Sequence, residues 1–356
     1  MNESFIQNIT RSITFPIYED TEFGAVRITA SRKEFAALDA EFGDSLNIYF
    51  SGGYVLEDIP YYDGYYERSG RIVVADYPGA DISIAYCFSG KMWEAAGCVP
   101  GDTVTLTIRE KGKYLDRQKK MACVYGNDRD AFDSDETFAN FYPVTGGTLR
   151  ANTFFRGVSP FDDLYKRAAT ADSLLKKHGI RFILDLADNE KKLRSHIKKE
   201  KAASGYAASL YAEGKAVLLG LDAGYRGDAF KAALVRGLLA MTEQDGPYYI
   251  HCTEGKDRTG IVCVLLEALA DASYEEIEDS YMKTFDNYYG ITKESDRARY
   301  GALKELRLND ILWWLADLPD NTDLAGMHFK KAAENYFRSA GMTEDELRKL
   351  EAFLTE

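Results

Sequence analysis

From about residue 10 to residue 125, apolar and polar positions alternate over short stretches separated by turn residues. Ser45-Leu46-Asn47-Ile48-Tyr49-Phe50 stands ahead of Gly52-Gly53. Thr103-Val104-Thr105-Leu106-Thr107-Ile108 follows Pro100-Gly101-Asp102, and Arg71-Ile72-Val73-Val74-Ala75 is a third such run. Each reads as a half-buried strand rich in β-branched residues. Tyrosines at 61, 62, 65 and 66 suit the same kind of surface. The pattern predicts a β-rich N-terminal domain over residues 1–136, a small barrel or sandwich, closed off by the acidic stretch from Asp128 to Glu136.

From residue 137 the period changes. Leu164 to Lys177 has helical apolar spacing ended by Gly179, and Ile180 to Leu186 is a short continuous apolar strand. Ala216 to Leu221 predicts a second strand, Phe230 to Met241 a helix, Tyr248 to His251 a third strand, and Ile261 to Leu269 an apolar helix. Amphipathic stretches then run from Tyr274 to Tyr289 and after Asp296, Phe329 and Thr343. Strands alternating with helices predict an α/β domain over residues 137–356, with a mostly parallel sheet flanked by helices and a helical C-terminal part. In such sheets ligands sit beyond the carboxyl ends of the strands, which is where Cys252 falls.

Charge and cysteine usage narrow the chemistry. A formal charge of −13 over 356 residues disfavours nucleic acid as a partner. No apolar run is long enough to span a bilayer, and Met1 to Asp20 lacks an apolar signal core. The expected location is cytoplasmic, or secreted if a signal peptide has been trimmed. Five cysteines without paired spacing and four scattered histidines predict no disulfide framework, no metal site and no cofactor.

The segment His251-Cys252-Thr253-Glu254-Gly255-Lys256-Asp257-Arg258-Thr259-Gly260 joins the end of a strand to the start of a helix. Backbone N–H groups in such a turn, opening into a helix N-terminus, form a nest for phosphate oxygens. Gly255 and Gly260 permit the tight backbone that a nest needs. Arg258 can fork two donors onto two oxygens. The helix start, Arg258 and Lys256 surround Cys252 with positive charge and favour a thiolate nucleophile. The Thr259 hydroxyl can donate to the sulfur as it leaves. The expected site is therefore Cys252 and Arg258, with Thr253, Glu254, Gly255, Lys256, Thr259 and Gly260 holding the phosphate.

The chain carries its own decoys. Cys123 and Arg129 have the same spacing, but Asp128, Asp130 and Asp133 would repel a phosphate, so Cys123 reads as a buried cysteine. Gly43-Asp44-Ser45-Leu46 spells a serine-esterase motif, yet the late histidine such a triad needs has no aspartate three residues before it, and a turn explains the tetrapeptide better. The basic run Lys191, Lys192, Arg194, Lys198, Lys199, Lys201 reads as a solvated helix face, and Tyr281, Tyr288 and Tyr289 as core or lid packing.

His-Cys-x-x-Gly-Lys-Asp-Arg-Thr-Gly resembles the signature of the atypical bacterial tyrosine and phosphoinositide phosphatases, within the cysteine-dependent protein tyrosine phosphatase superfamily. Asn140-Phe141 with Gly146-Gly147, Phe155-Arg156-Gly157 (an Arg-Ser pair in the family) and Ile183-Leu184-Asp185-Leu186 extend the likeness over residues 137 to 300. Tyr142 and Ala187 depart from it, each standing where the family has arginine. The resemblance implies a metal-free, two-step phosphomonoesterase with a cysteinyl-phosphate intermediate. Its substrate would be a phosphoprotein carrying phosphotyrosine, or a phosphoinositide or inositol phosphate, and lysine at 256 keeps the latter open. Three aspartates compete as general acid: Asp222, favoured for its place thirty positions before Cys252, then Asp257 inside the loop, and Asp185. A non-catalytic phosphate-recognition module, or a sulfur-transfer or arsenate-reducing enzyme, is the alternative. The partner of the N-terminal domain is unknown.

Overall fold

A computed structural model describes residues 11–30, 32–77, 80–124, 126–199 and 205–356, and the chain divides into two compact units, Met1–Ala122 and Cys123–Glu356. The division falls earlier than residue 136, because the stretch after Cys123 packs into the second unit, where the buried Arg167 donates to the Gly126 and Phe138 carbonyls.

The first unit is a closed barrel. Its strands are β1 (Ser12–Asp20), β2 (Ala25–Ile28), β3 (Ser45–Phe50), β4 (Val55–Tyr62), β5 (Ile72–Ala75), β6 (Ser83–Tyr86) and β7 (Thr103–Glu110), in the order β1-β2-β6-β5-β4-β3-β7. Short helices α1 (Arg32–Ala36), α2 (Met92–Ala95) and α3 (Leu115–Met121) complete it. Alternation sets the register. Val104 and Leu106 of β7 pair with Phe50 and Ile48 of β3 and with Phe15 and Ile13 of β1; all but the half-buried Ile13 belong to the buried core. Between barrel and sandwich, closure through the β1–β7 pairing decides for the barrel. The esterase-like tetrapeptide is a corner of it. The buried Asp44 carboxylate accepts from the Glu41 and Gly112 amides at 2.8 and 2.7 Å, and the Ser45 hydroxyl donates to Asp58 at 2.7 Å.

The second unit runs α4 (Asp135–Phe138), β8 (Tyr142–Pro143), β9 (Phe154–Gly157), α5 (Ala168–Lys177), β10 (Phe182–Asp185), α6 (Glu190–Lys199), α7 (Tyr206–Ala212), β11 (Ala216–Leu218), α8 (Asp228–Thr242), β12 (Tyr248–His251), α9 (Asp257–Leu269) and α10 (Tyr274–Tyr289). It ends in α11 (Arg297–Leu303), a π-helical segment Lys304–Asn309, α12 (Asp310–Leu315), α13 (Lys330–Ser339) and α14 (Glu344–Thr355). The sheet order is β11-β10-β12-β9-β8, parallel throughout except for the edge strand β8.

Side-chain alternation buries both faces of this sheet. Phe155, Ile183 and Tyr249, aligned across three strands, pack with Ala171, Leu174 and Leu175 of α5 and Leu210 of α7. Phe154 and Tyr248, stacked at 5.3 Å, both meet Phe353 of α14. Strand β11 is shorter than its apolar run, because Leu219, Gly220 and Leu221 turn their amides to the Asp185, Asp188 and Leu186 carbonyls. The α6 cations Lys191, Arg194 and Lys198 are exposed, and Lys201 lies outside the described residues. No helix among the described residues is long and apolar enough to cross a membrane.

Candidate active site

Strand β12, central in the sheet and buried at all four residues, delivers Cys252 to the carboxyl edge, where its side chain is 3% exposed. Helix α9 begins five residues later. No side chain among the described residues caps it, whereas α10 and α14 both carry complete capping boxes. A helix start without a cap leaves orphan amides, the donors an anion can use.

Two glycines fix the turn between strand and helix. Gly255 has φ +65°, and a Cβ there would lie 2.1 Å from the Gly157 carbonyl oxygen at the end of β9. Gly157 is tight as well, since a Cβ would meet the Tyr249 Oη at 2.5 Å. The loop and β9 therefore touch backbone to backbone at Gly255, where only glycine fits, and at Gly157 a side chain is shut out as long as the Tyr249 hydroxyl keeps its place.

Side chains hold the remainder of the loop. Arg258 Nη1 donates to the Leu221 carbonyl at 2.9 Å and Nη2 to Thr253 Oγ1 at 3.3 Å, so its fork is planted beside the Asp222 loop. The Ser159 amide donates to the Thr253 carbonyl at 3.2 Å. Tyr288 of α10 donates to the Glu254 carbonyl and Tyr165 to the Glu254 carboxylate at 2.8 Å. Behind the loop, buried Asn140, at φ +50°, and buried Arg156 converge on the Gly255 carbonyl, at 3.3 and 2.9 Å.

Lys256 is less available than its place in the loop suggests. Its Nζ lies 2.8 Å from Glu254 and 3.8 Å from Asp257, so its charge is shared with two carboxylates. The Thr259 hydroxyl is fully buried and makes no hydrogen bond among the described residues, so the expected bond to the Cys252 sulfur is not formed. Gly260 lies in the first turn of α9 with φ outside the left-handed region; its lack of a side chain makes room for Tyr281, 2.8 Å from where a Cβ would sit.

The three candidate acids occupy different settings. Asp222 is exposed in the β11–α8 loop and accepts from the Gly224 amide at 2.8 Å. That loop is pinned on both sides of it, at Leu221 by Arg258 and at the Tyr225 carbonyl by Tyr336 at 3.0 Å. Asp257 opens α9, within the field of Tyr281, whose hydroxyl burial pushes up. Asp185 is fully buried, bonded to the Ala187 and Asp188 amides, and faces His251 Nε2 at 3.8 Å. Its enclosure removes it from reach of a leaving group. Burial raises the carboxyls of both Asp185 and Asp188, and the Asp185 charge adds to the rise at Asp188. Burial lowers His251 to about 4, so its imidazole stays neutral at pH 7.

The cysteine and arginine of the decoy serve other partners. Cys123 accepts from Arg299 at 3.3 Å, and Arg129 turns to Asp135 and the Phe132 carbonyl; Tyr125 between them lies outside the described residues. Ser159 and Tyr165 carried no signal in the sequence, Tyr288 read as core or lid packing, and Asn140 and Arg156 entered only through the family resemblance, without a role at the loop.

Residues 136–356 match the model of a family described as the tyrosine phosphatase family. A tyrosine-protein phosphatase from Nostoc commune is 33% identical over 126 residues, 32% of this chain and 40% of that relative's length. Among solved structures, the core catalytic domain of the PP-IP phosphatase SIW14 from S. cerevisiae, in complex with citrate, is matched over 50% of this chain and 91% of that one. That match has 18% identity and a TM-score of 0.27, too low to carry an argument.

Proposed function

Because the chain belongs to the tyrosine phosphatase family, we propose that it hydrolyses phosphomonoesters through a cysteinyl-phosphate intermediate. The observation that carries this reading is the strand–loop–helix at Cys252. A buried sulfur sits at the end of β12, Gly255 is forced left-handed against Gly157, and Arg258 is anchored with its fork at the loop.

In the first step the Cys252 sulfur attacks phosphorus as the ester P–O bond breaks, and an aspartic acid gives its proton to the leaving oxygen. In the second, water oxygen bonds to phosphorus, the S–P bond breaks, and the same aspartate takes the proton from water. Amides of the loop and the Arg258 guanidinium follow the equatorial oxygens through both steps. Asp222 is our choice for the acid: it neighbours Leu221, whose carbonyl holds Arg258. Asp257 is the rival, one turn position before Arg258.

The relative named a tyrosine-protein phosphatase favours phosphotyrosine as a substrate, and Lys256 at the loop keeps inositol phosphates and phosphoinositides beside it. The test is Cys252→Ser. Turnover of p-nitrophenyl phosphate should vanish while tungstate still binds, since oxygen replaces only the nucleophile. Activity within about tenfold of wild type, a barrier change near 1.4 kcal/mol, would overturn the mechanism. A panel of phosphotyrosyl peptides, phosphoinositides and soluble inositol phosphates then ranks the substrates.

A further inference from the structure

Arg156 is 1% exposed, one of the largest fully buried side chains among the described residues. Its Nη2 donates to the Gly255 carbonyl at 2.9 Å and lies 3.5 Å from the Lys256 carbonyl and 3.4 Å from Thr284 Oγ1. The guanidinium lies over the Tyr142 ring at 5.1 Å, and among the described residues Nε and Nη1 have no hydrogen-bond partner. Burying a guanidinium with donors unspent costs stability, and an apolar residue of similar volume would serve folding better. What the arginine holds gives the reason: both carbonyls belong to the phosphate loop. With those oxygens drawn back toward β9, the peptide planes are set with their N–H groups toward the anion.

We propose that Arg156 is a positioning residue for the phosphate loop, gripping the Gly255 carbonyl together with Asn140 and placing a buried positive charge behind the anion nest. The inference rests on the phosphate-binding reading of the Cys252 loop. The charge has a built-in counterpart. Glu267 of α9 is fully buried, its Oε1 accepts from the Ser280 hydroxyl, and its Oε2 has no partner among the described residues. The groups acting on this pair are Glu276, Tyr281 and Ser280 of α10, Cys263 of α9 and Tyr142 of β8. Burial pushes the Glu267 carboxyl up to about 8, against the pull of Arg156. Burial thus favours the uncharged carboxyl, and its ionisation as the pH rises sets a negative charge against that of Arg156.

Tungstate is the probe, because it stays dianionic from pH 7 to pH 9 and needs no chemistry. Calorimetry on the full chain should give Arg156→Gln an affinity about tenfold or more below wild type, the loss expected for charge-assisted hydrogen bonds. Arg156→Lys should restore part of it, and circular dichroism should show both variants folded. Wild-type affinity should fall between pH 7 and pH 9 more steeply than that of Glu267→Gln, a difference that a purely structural arginine would not produce. A folded Arg156→Gln that binds tungstate within about twofold of wild type overturns the proposal. If that variant does not fold, parallel pH profiles of Glu267→Gln and wild type overturn it instead. Wild type that binds tungstate but hydrolyses no ester would sink the catalytic reading alone, and the binding series would still decide for or against Arg156.

Discussion

Replacing Gly255 with alanine tests the loop geometry most directly, because two penalties can be separated. The first is conformational: φ is +65°, where an L-residue costs roughly 1–2 kcal/mol. The second is steric. The new Cβ would sit 2.1 Å from the Gly157 oxygen and 2.2 Å from its carbonyl carbon, against an ordinary contact of at least 3.4 Å. Relief requires movement of about 1.3 Å (3.4 − 2.1), and both neighbours are backbone, so the loop or the end of β9 must shift. Displacing reacting groups by about 1 Å costs on the order of a hundredfold in rate.

Gly290 provides the control. It ends α10 with φ +62° and, among the described residues, nothing within 4 Å of its absent Cβ, so Gly290→Ala carries the first penalty without the second. Urea unfolding followed by tryptophan fluorescence, with Trp313 and Trp314 reporting on the second unit, gives the stability change; p-nitrophenyl phosphate turnover gives the rate. Gly255→Ala should lose roughly 1–3 kcal/mol more than Gly290→Ala and about a hundredfold in kcat/KM, while Gly290→Ala keeps its rate. If the two variants lose the same stability and Gly255→Ala stays fully active, the backbone contact with Gly157 does not shape the site.

Asp222→Asn should cost roughly a hundredfold on a phosphotyrosine ester and much less on a nitrophenyl ester, whose leaving group needs little protonation; the same leaving-group dependence in Asp257→Asn instead would move the acid into the loop. Lys256→Ala should harm a multiply phosphorylated substrate more than a small aryl phosphate, because it removes a cation at the loop that lies 2.8 Å from the Glu254 carboxylate. Equal kcat/KM losses on both would show that the lysine only shapes the loop. Cys123→Ser should leave turnover unchanged, since Arg299 and not a phosphate occupies its sulfur; a loss comparable to Cys252→Ser would mean the wrong loop was chosen.

The strands of the barrel and the Cys252 strand–loop–helix were legible because local pattern and turn chemistry agree there. Val104 and Leu106 alternate as their register requires, and Tyr248 to His251 is bounded by Pro247 and the loop itself. Helix Tyr274–Tyr289 appears at its expected limits because Ser273, Glu276 and Gly290 mark both ends. The supports of the loop were not legible, since they act across the fold. Asn140 lies 115 positions from the carbonyl it holds and Arg156 lies 99. Glu267 interrupts an apolar helix in a way that, in sequence, suits an exposed edge as well as a buried carboxyl. The ion pairs that claim Lys256 depend on rotamers that spacing does not specify.

The contact of Gly157 with Tyr249 bears on how the site can diverge. The Tyr249 hydroxyl occupies the space a side chain at 157 would need, and it donates to the Val158 carbonyl at 2.6 Å. The family pattern that Phe155-Arg156-Gly157 resembles has serine after the arginine. Serine cannot enter this chain by a single substitution without evicting the tyrosine hydroxyl. Positions 157 and 249 should therefore mutate as a pair. In a randomised library selected for turnover, serine or alanine at 157 should be recovered with phenylalanine or a smaller residue at 249, and rarely with tyrosine.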